Sequence, residues 1–316
     1  MELSVLRKLW QIVLLAVLFT SCEKDIEIDV PESEPEIVIE GTIESGSNPI
    51  VLVSRTRGFF EPTSPQDIAN AYTDEAIVFV NGQELTPICV DDIPEEFLET
   101  FAELVGIEPE NLDDLPICGY VGLNIQGEEN TDYDLRVELD GKILTATTHI
   151  PNKVIPDSSY FRLWADSPRY GYVFTRFTDP DTLDNAYRIF TKRIGPNTND
   201  NPVDEVFYAP LGSTFLDEFF NGTSFEIFFQ RGSPFNSSRE VDTGDERGFF
   251  EVGDRFVFKF CSISEPSYQF YRTFEQQLGT NGSPFSAPNN VISNIDGGLG
   301  IWAGYSCVYD TIIASP

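Results

Sequence analysis

Apolar residues recur at every second position over short runs of this chain, the pattern of strands with one buried face. EIVIEGTIE sets Ile37, Ile39 and Ile43 on one side. IVLVSRT and AIVFVNGQEL follow, the latter turning at Asn81-Gly82, where both residues tolerate positive φ. YDLRVELDGKILTATTHI reads as a second hairpin around Asp140-Gly141, with Tyr133, Leu135, Val137 and Leu139 facing one way. Farther along, YFRLWA, YGYVFTRF, AYRIFTKRI, EVFYAPL, SFEIFFQRG, RFVFKFCSI and GIWAGYSCVYDTIIA carry Phe, Tyr and Val at alternate positions, which suits sheets packed on one another. The pattern predicts a mainly β chain of two β-sandwich-like domains with one or two short helices. The prolines of IPNKVIPDSS mark a boundary, giving an N-terminal Ig-like domain over 36–152 and a C-terminal β-rich domain over 153–316.

Two stretches switch to the helical period. PEEFLETFAELVG sets Phe97, Leu98, Phe101, Leu104 and Val105 on one face, with Glu95, Glu96, Glu99 and Glu103 opposite. SEPSYQFYRTFEQQLG offers Ser264 as N-cap, Pro266 in the first turn, a buried stripe of Phe270, Tyr271, Phe274 and Leu278, and Gly279 as stop.

The start of the chain follows neither rhythm. Arg7 and Lys8 precede the apolar run IVLLAVLF, which is too short to span a hydrocarbon core that needs about 20 helical residues. A basic, then apolar, then small-residue order predicts an export signal over 1–21. Phe19-Thr20-Ser21-Cys22 resembles a bacterial lipobox, with Phe19 where leucine is usual, so Cys22 is expected to carry acyl chains and to head an acidic tether over 22–35. Each buried methylene adds about 0.8 kcal/mol, and more than one chain makes the anchorage lasting. Glu23-Lys24-Asp25-Ile26-Glu27 resembles the surface-export signal of Bacteroidetes lipoproteins, against the plainer reading of a solvated tether.

Charge narrows the partners. Fifty-two acids against 20 bases give a net charge of −32, which repels phosphate backbones and argues against nucleic acid and anionic head groups. Membrane attachment is therefore expected through the lipid on Cys22 alone. With Cys22 acylated, Cys89, Cys118, Cys261 and Cys307 remain, an even number that predicts two disulfides and allows three pairings. Cys89–Cys118 with Cys261–Cys307 is favoured, because each bridge then stays within one expected domain. The first would staple the base of an excursion that carries the acidic helix. A zinc site has little to build on, with one histidine and no CxxC.

Catalytic chemistry finds few parts. His149 stands alone at a strand end before Pro151, and GxSxG, P-loop and GxGxxG motifs are absent. Paired carboxylates would suit a hydrolase, but so many acids make such a pair uninformative. Asp179-Pro180-Asp181-Thr182-Leu183-Asp184-Asn185 offers oxygen ligands for calcium yet lacks the EF-hand glycine and glutamate, so a turn is favoured. Asp181-Thr182-Leu183 and Asp310-Thr311-Ile312 match a short O-glycosylation motif. Gly297, Gly298 and Gly300 before Trp302 and Tyr305 form either a recognition loop or, as favoured, the turn into a last core strand. No catalytic residue, metal ligand or cofactor is assigned, and the ligand-binding residues stay unassigned.

Several motifs belong together: IEIDVPESEPEIVIEGTI after the lipobox, YDLRVELDGKILTATTHIP, FTDP with NAYRI, the SEPSYQFYRTFEQQ helix and the closing SNIDGGLGIWAGYS. As a set they resemble the Bacteroidetes lipoprotein family described as domain of unknown function 4249. The resemblance implies a β-rich, lipid-anchored envelope protein whose genes usually neighbour those of TonB-dependent outer-membrane receptors. It implies no established activity. The expected function is a non-enzymatic accessory or binding lipoprotein on the outer face of the outer membrane, working with a TonB-dependent transporter in nutrient uptake. The alternatives are a structural or adhesive surface protein and a carboxylate-based hydrolase.

Overall fold

The structure is a computed structural model describing residues 34–58, 64–105, 112, 115, 117–165, 167–199, 201–232, 248–280 and 290–316. Cys22, the expected export signal and nearly all of the tether lie outside them. Strands β1 (Ile37–Glu44) and β2 (Ile50–Arg55) open the described chain, followed by a short helix α1 (Pro65–Ala69). Next come β3 (Ile77–Val80), β4 (Gln83–Glu84) and β5 (Thr86–Cys89), helix α2 (Glu95–Val105), and then β6 (Cys118–Val121). Hairpin β7 (Thr131–Leu139) and β8 (Lys142–Ile150) leads to β9 (Ser158–Leu163), β10 (Tyr170–Thr178) and β11 (Ala186–Ile194). The remainder is β12 (Thr214–Leu216), β13 (Ser224–Phe229), β14 (Phe250–Glu251), β15 (Arg255–Ile263), helix α3 (Glu265–Thr280) and β16 (Leu299–Ile313). The mainly β class expected from alternation is what forms. No described helix is long and apolar enough to cross a membrane.

Local chemistry explains the hairpins. Asn81 and Gly82 take φ of 49° and 76°, and Asp140 and Gly141 take 55° and 72°, the paired positive values of a two-residue turn that matches strand twist. Tyr133, Leu135, Val137 and Leu139 are all buried, as their spacing requires. EVFYAPL does not become a strand. It contributes a single bridge, Thr191 to Tyr208, before Pro210 removes a donor.

The strands form three sheets. The largest has eight strands in the order β12-β11-β15-β16-β1-β2-β6-β5. All its described pairings are antiparallel except β1 with β16, which run parallel from Val38 opposite Leu299 to Glu44 opposite Tyr305. One small sheet orders as β4-β3-β7-β8; in the other, β10 pairs β9 on one edge and β13 and β14 on the other.

Both small sheets pack on one face of the large one. Ile37, Ile39, Ile43, Val51, Val53 and Trp302 meet Val78, Leu135, Val137 and Leu144. Farther along the same face, Tyr187, Phe256, Phe258 and Phe260 meet Phe161, Val173, Phe177 and Phe229. The opposite face carries the helices: Phe101 and Ala102 of α2 cluster with Ile50 and Leu52, and Tyr268 of α3 with Ile301, Ala303 and Tyr305.

This arrangement corrects the domain boundary expected at 152–153. Pro35–Pro316 is one compact unit, because β16 inserts between β15 of the second half and β1 of the first. The halves keep separate small sheets but share the large one. Gly300 makes the insertion geometrically feasible: its φ is +110°, and a Cβ there would stand 1.9 Å from the Ile39 carbonyl oxygen.

The helix expectations are met unevenly. Phe97, Leu98, Phe101, Leu104 and Val105 pack inward as expected. The α3 stripe is rotated from its expected face: Tyr268, Ser267 and Thr273 are buried, whereas Phe274 is 40% exposed. That helix runs through Gly279 to Thr280.

Candidate functional site

The four cysteines pair as favoured. Cys89 lies opposite Cys118 in β5 and β6, and Cys261 opposite Cys307 in β15 and β16, with Cα atoms 3.9 and 4.0 Å apart. Asp74 approaches the first bridge and completes the one trio of potential metal ligands found among the described residues. Both sulfurs are consumed by the disulfide, so no thiolate is left to bind a metal ion.

The other singled-out residues are absorbed into the fold. His149 of β8 faces Asp132 of β7, Nδ1 to Oδ1 at 2.6 Å, on the exposed side of the hairpin. The Asp179–Asn185 segment is a turn held by hydrogen bonds at both of its ends. Asp179 accepts from the Tyr187 hydroxyl and from the Gly222 N–H, and Asn185 donates to Asp217 at 3.0 Å. Trp302 is fully buried; its indole N–H donates to the Tyr133 carbonyl at 2.9 Å, and Asn294 brackets its backbone with two hydrogen bonds. The glycine-rich stretch therefore leads into a core strand.

Two features went unread in the sequence. The first lies on the helix side of the large sheet. Lys259 of β15 meets Glu44 of β1 at 3.0 Å, and Lys192 of β11 meets Glu99 of α2 at 3.0 Å. Burial raises the Glu103 carboxyl above its usual range although Lys259 and Arg188 pull it back. For Lys259, burial works downward, but Glu103 and Glu44 outweigh it and hold the ammonium above its ordinary value. Glu99 and Glu103, expected on a solvent face, thus point their charge at the cations of the sheet. Arg188 continues the row, donating to the Tyr305 hydroxyl at 3.0 Å and stacking on Tyr271 at 3.4 Å. This layer fastens α2 and α3 to the sheet.

The second feature is a solvent-side aromatic face on the sheet centred on β10. Strand alternation sends Val173 and Phe177 inward and Tyr172 and Phe174 outward. Register then sets Tyr160, Phe174 and Phe228 side by side across β9, β10 and β13. Tyr160 stacks on Phe174 at 6.0 Å, Phe174 neighbours Phe228 at 5.7 Å, and Tyr172 contacts Phe228, Phe249 and Trp164 within 5.3 Å. The Arg162 guanidinium lies 3.5 Å over Phe174, and the Tyr160 hydroxyl donates to Glu226 at 2.6 Å. Trp164 and Phe228 remain half exposed, at 49% and 48%. The signal was legible as YFRLW, YGYVF and SFEIFF, whose aromatics are too frequent for one buried face to absorb. Tyr172 and Phe174 are themselves buried by these neighbours, so the apolar area left open is that of Trp164 and Phe228, with polar groups at one end.

A family model described as a domain of unknown function (DUF4249) matches residues 23–308. No curated protein matches the chain.

Proposed function

We propose that this chain, which belongs to the DUF4249 family, is a lipid-anchored binding protein on the outer face of the outer membrane, accessory to a TonB-dependent transporter in nutrient uptake. The observation that carries the contact role is the aromatic face with Trp164 and Phe228 half exposed at its surface. Aromatic residues are enriched in the cores of protein contacts, where they supply area at low conformational cost. The anchor rests on the lipobox-like Phe19-Thr20-Ser21-Cys22, and outward display on Glu23 to Glu27. The transporter as partner follows from the sequence resemblance set out above.

Gentle detergent solubilisation of the native membrane, followed by affinity capture of the full chain, tests this directly. A TonB-dependent receptor should co-purify with the wild type and be lost from a Trp164→Ser/Phe228→Ser variant that keeps its melting temperature. Recovery of no receptor would sink the reading. Cys22→Ala should abolish palmitate labelling and release the protein from the membrane fraction.

A further inference from the structure

A second surface owes nothing to the aromatic face. Helix α3, strand β12 and the inner side of β13 border a cleft of about 600 Å³, within the size range of small-molecule sites. Its walls are apolar: Phe220 and Phe225 stack at 4.5 Å and nearly parallel, with Phe215 beside them and Ile227 beyond. All four rest against the aromatic core below, so the walls are backed by packed side chains. At the lip stands Phe219, 91% exposed, an orientation that costs apolar hydration unless something covers the ring.

Charge at the rim decides what could enter. Arg272 of α3 lines the cleft, and its guanidinium contacts only the hydroxyl and ring of Tyr268 among the described residues. Acids outnumber bases 52 to 20, yet no described carboxylate pairs with this arginine. Glu275, one turn away, is turned aside to the Ser213 hydroxyl and the Gly212 N–H. Glu218 is the other acid on the rim; it is exposed and would repel a multiply charged anion. We infer that the cleft binds a singly charged anionic amphiphile, its apolar body along the phenylalanine wall and its carboxylate on Arg272. A guanidinium pairs with a carboxylate in a planar two-bond contact that an ammonium cannot reproduce.

Calorimetric titration of the full chain with decanoate, decanol and decyltrimethylammonium, all below their aggregation limits, is the test. Decanoate should bind saturably at one site and about tenfold more tightly than decanol, the increment of one charge-assisted contact. Arg272→Gln should remove that tenfold advantage and leave decanol binding unchanged, whereas Phe219→Ser should weaken both. Circular dichroism would confirm that each variant keeps its fold. Equal binding of all three amphiphiles, a preference for the cation, no saturable decanoate binding, or an Arg272→Gln variant that binds decanoate normally would each overturn the proposal. Neither Trp164 nor Phe228 lines the cleft, so its failure would leave the transporter reading standing.

Discussion

The ammonium of Lys259 meets the carboxylate of Glu44 at 3.0 Å although a whole strand, β16, runs between theirs. Glu44 also accepts from the Tyr309 hydroxyl of that middle strand at 2.6 Å. Three strands are thereby tied on the face that receives the helices. Removing one partner strands the other charge in a poorly solvated place. Lys259→Met should cost about 3 kcal/mol in urea unfolding. Adding Glu44→Gln should recover part of the loss, and an additive double variant would show that the two groups do not interact.

Glu40 of β1 has its carboxyl pushed up to about 7 by burial, from a reference of 4.5. Between those values the folded chain holds a proton that the unfolded chain has released. Stability therefore falls as pH rises through that window. Glu40→Gln should unfold much like the wild type at pH 4 and be more stable by about 1–3 kcal/mol at pH 8. Equal gains at both pH values would refute the assignment.

The Cys89–Cys118 bridge spans 29 residues of sequence and encloses α2. Its strands share only four register positions, whereas those bridged by Cys261–Cys307 share nine. Cys89→Ala/Cys118→Ala should cost about 3 kcal/mol and speed amide exchange in α2 while β16 keeps its protection. Cys261→Ala/Cys307→Ala should leave exchange at β15 and β16 slow, since their ladder aligns them without the bridge.

Gly300 offers a sharper test of the shared sheet. Gly300→Ala sets a methyl group against the Ile39 carbonyl in a left-handed conformation, and should destabilise by at least about 3 kcal/mol. A melting temperature unchanged from the wild type would show that β1 and β16 do not pair as described.

What the sequence revealed was local. Asn81-Gly82, Asp140-Gly141 and the alternation of Tyr133 to Leu139 specify hairpins through neighbours a few residues apart, so turn chemistry and period suffice to read them. The cysteine pairing was favoured on the ground that each bridge stays within one half of the chain, and it holds although the halves share one sheet. The pairing of Val38 with Leu299 leaves no local trace, since either strand satisfies its alternation whichever neighbour it takes. That missing information turned one shared sheet into two expected domains. The charged layer was hidden for a similar reason: Glu99 and Glu103 look like a solvent face until Lys192 and Lys259 are brought opposite. The aromatic face shows in the frequency of Tyr and Phe along β9, β10 and β13, but only register assembles it.

The place of β16 also sets a schedule. A chain delivered from its front end can form its hairpins early, yet the slot between β1 and β15 stays vacant until residues 299–313 arrive. Such distant pairing closes slowly. A product cut short of that strand would hold two raw edges, one rich in isoleucine and the other in phenylalanine, each a template for a foreign strand. The hazard would thus be greatest while β16 is still missing, when both flanking edges exist and the seam between them is open.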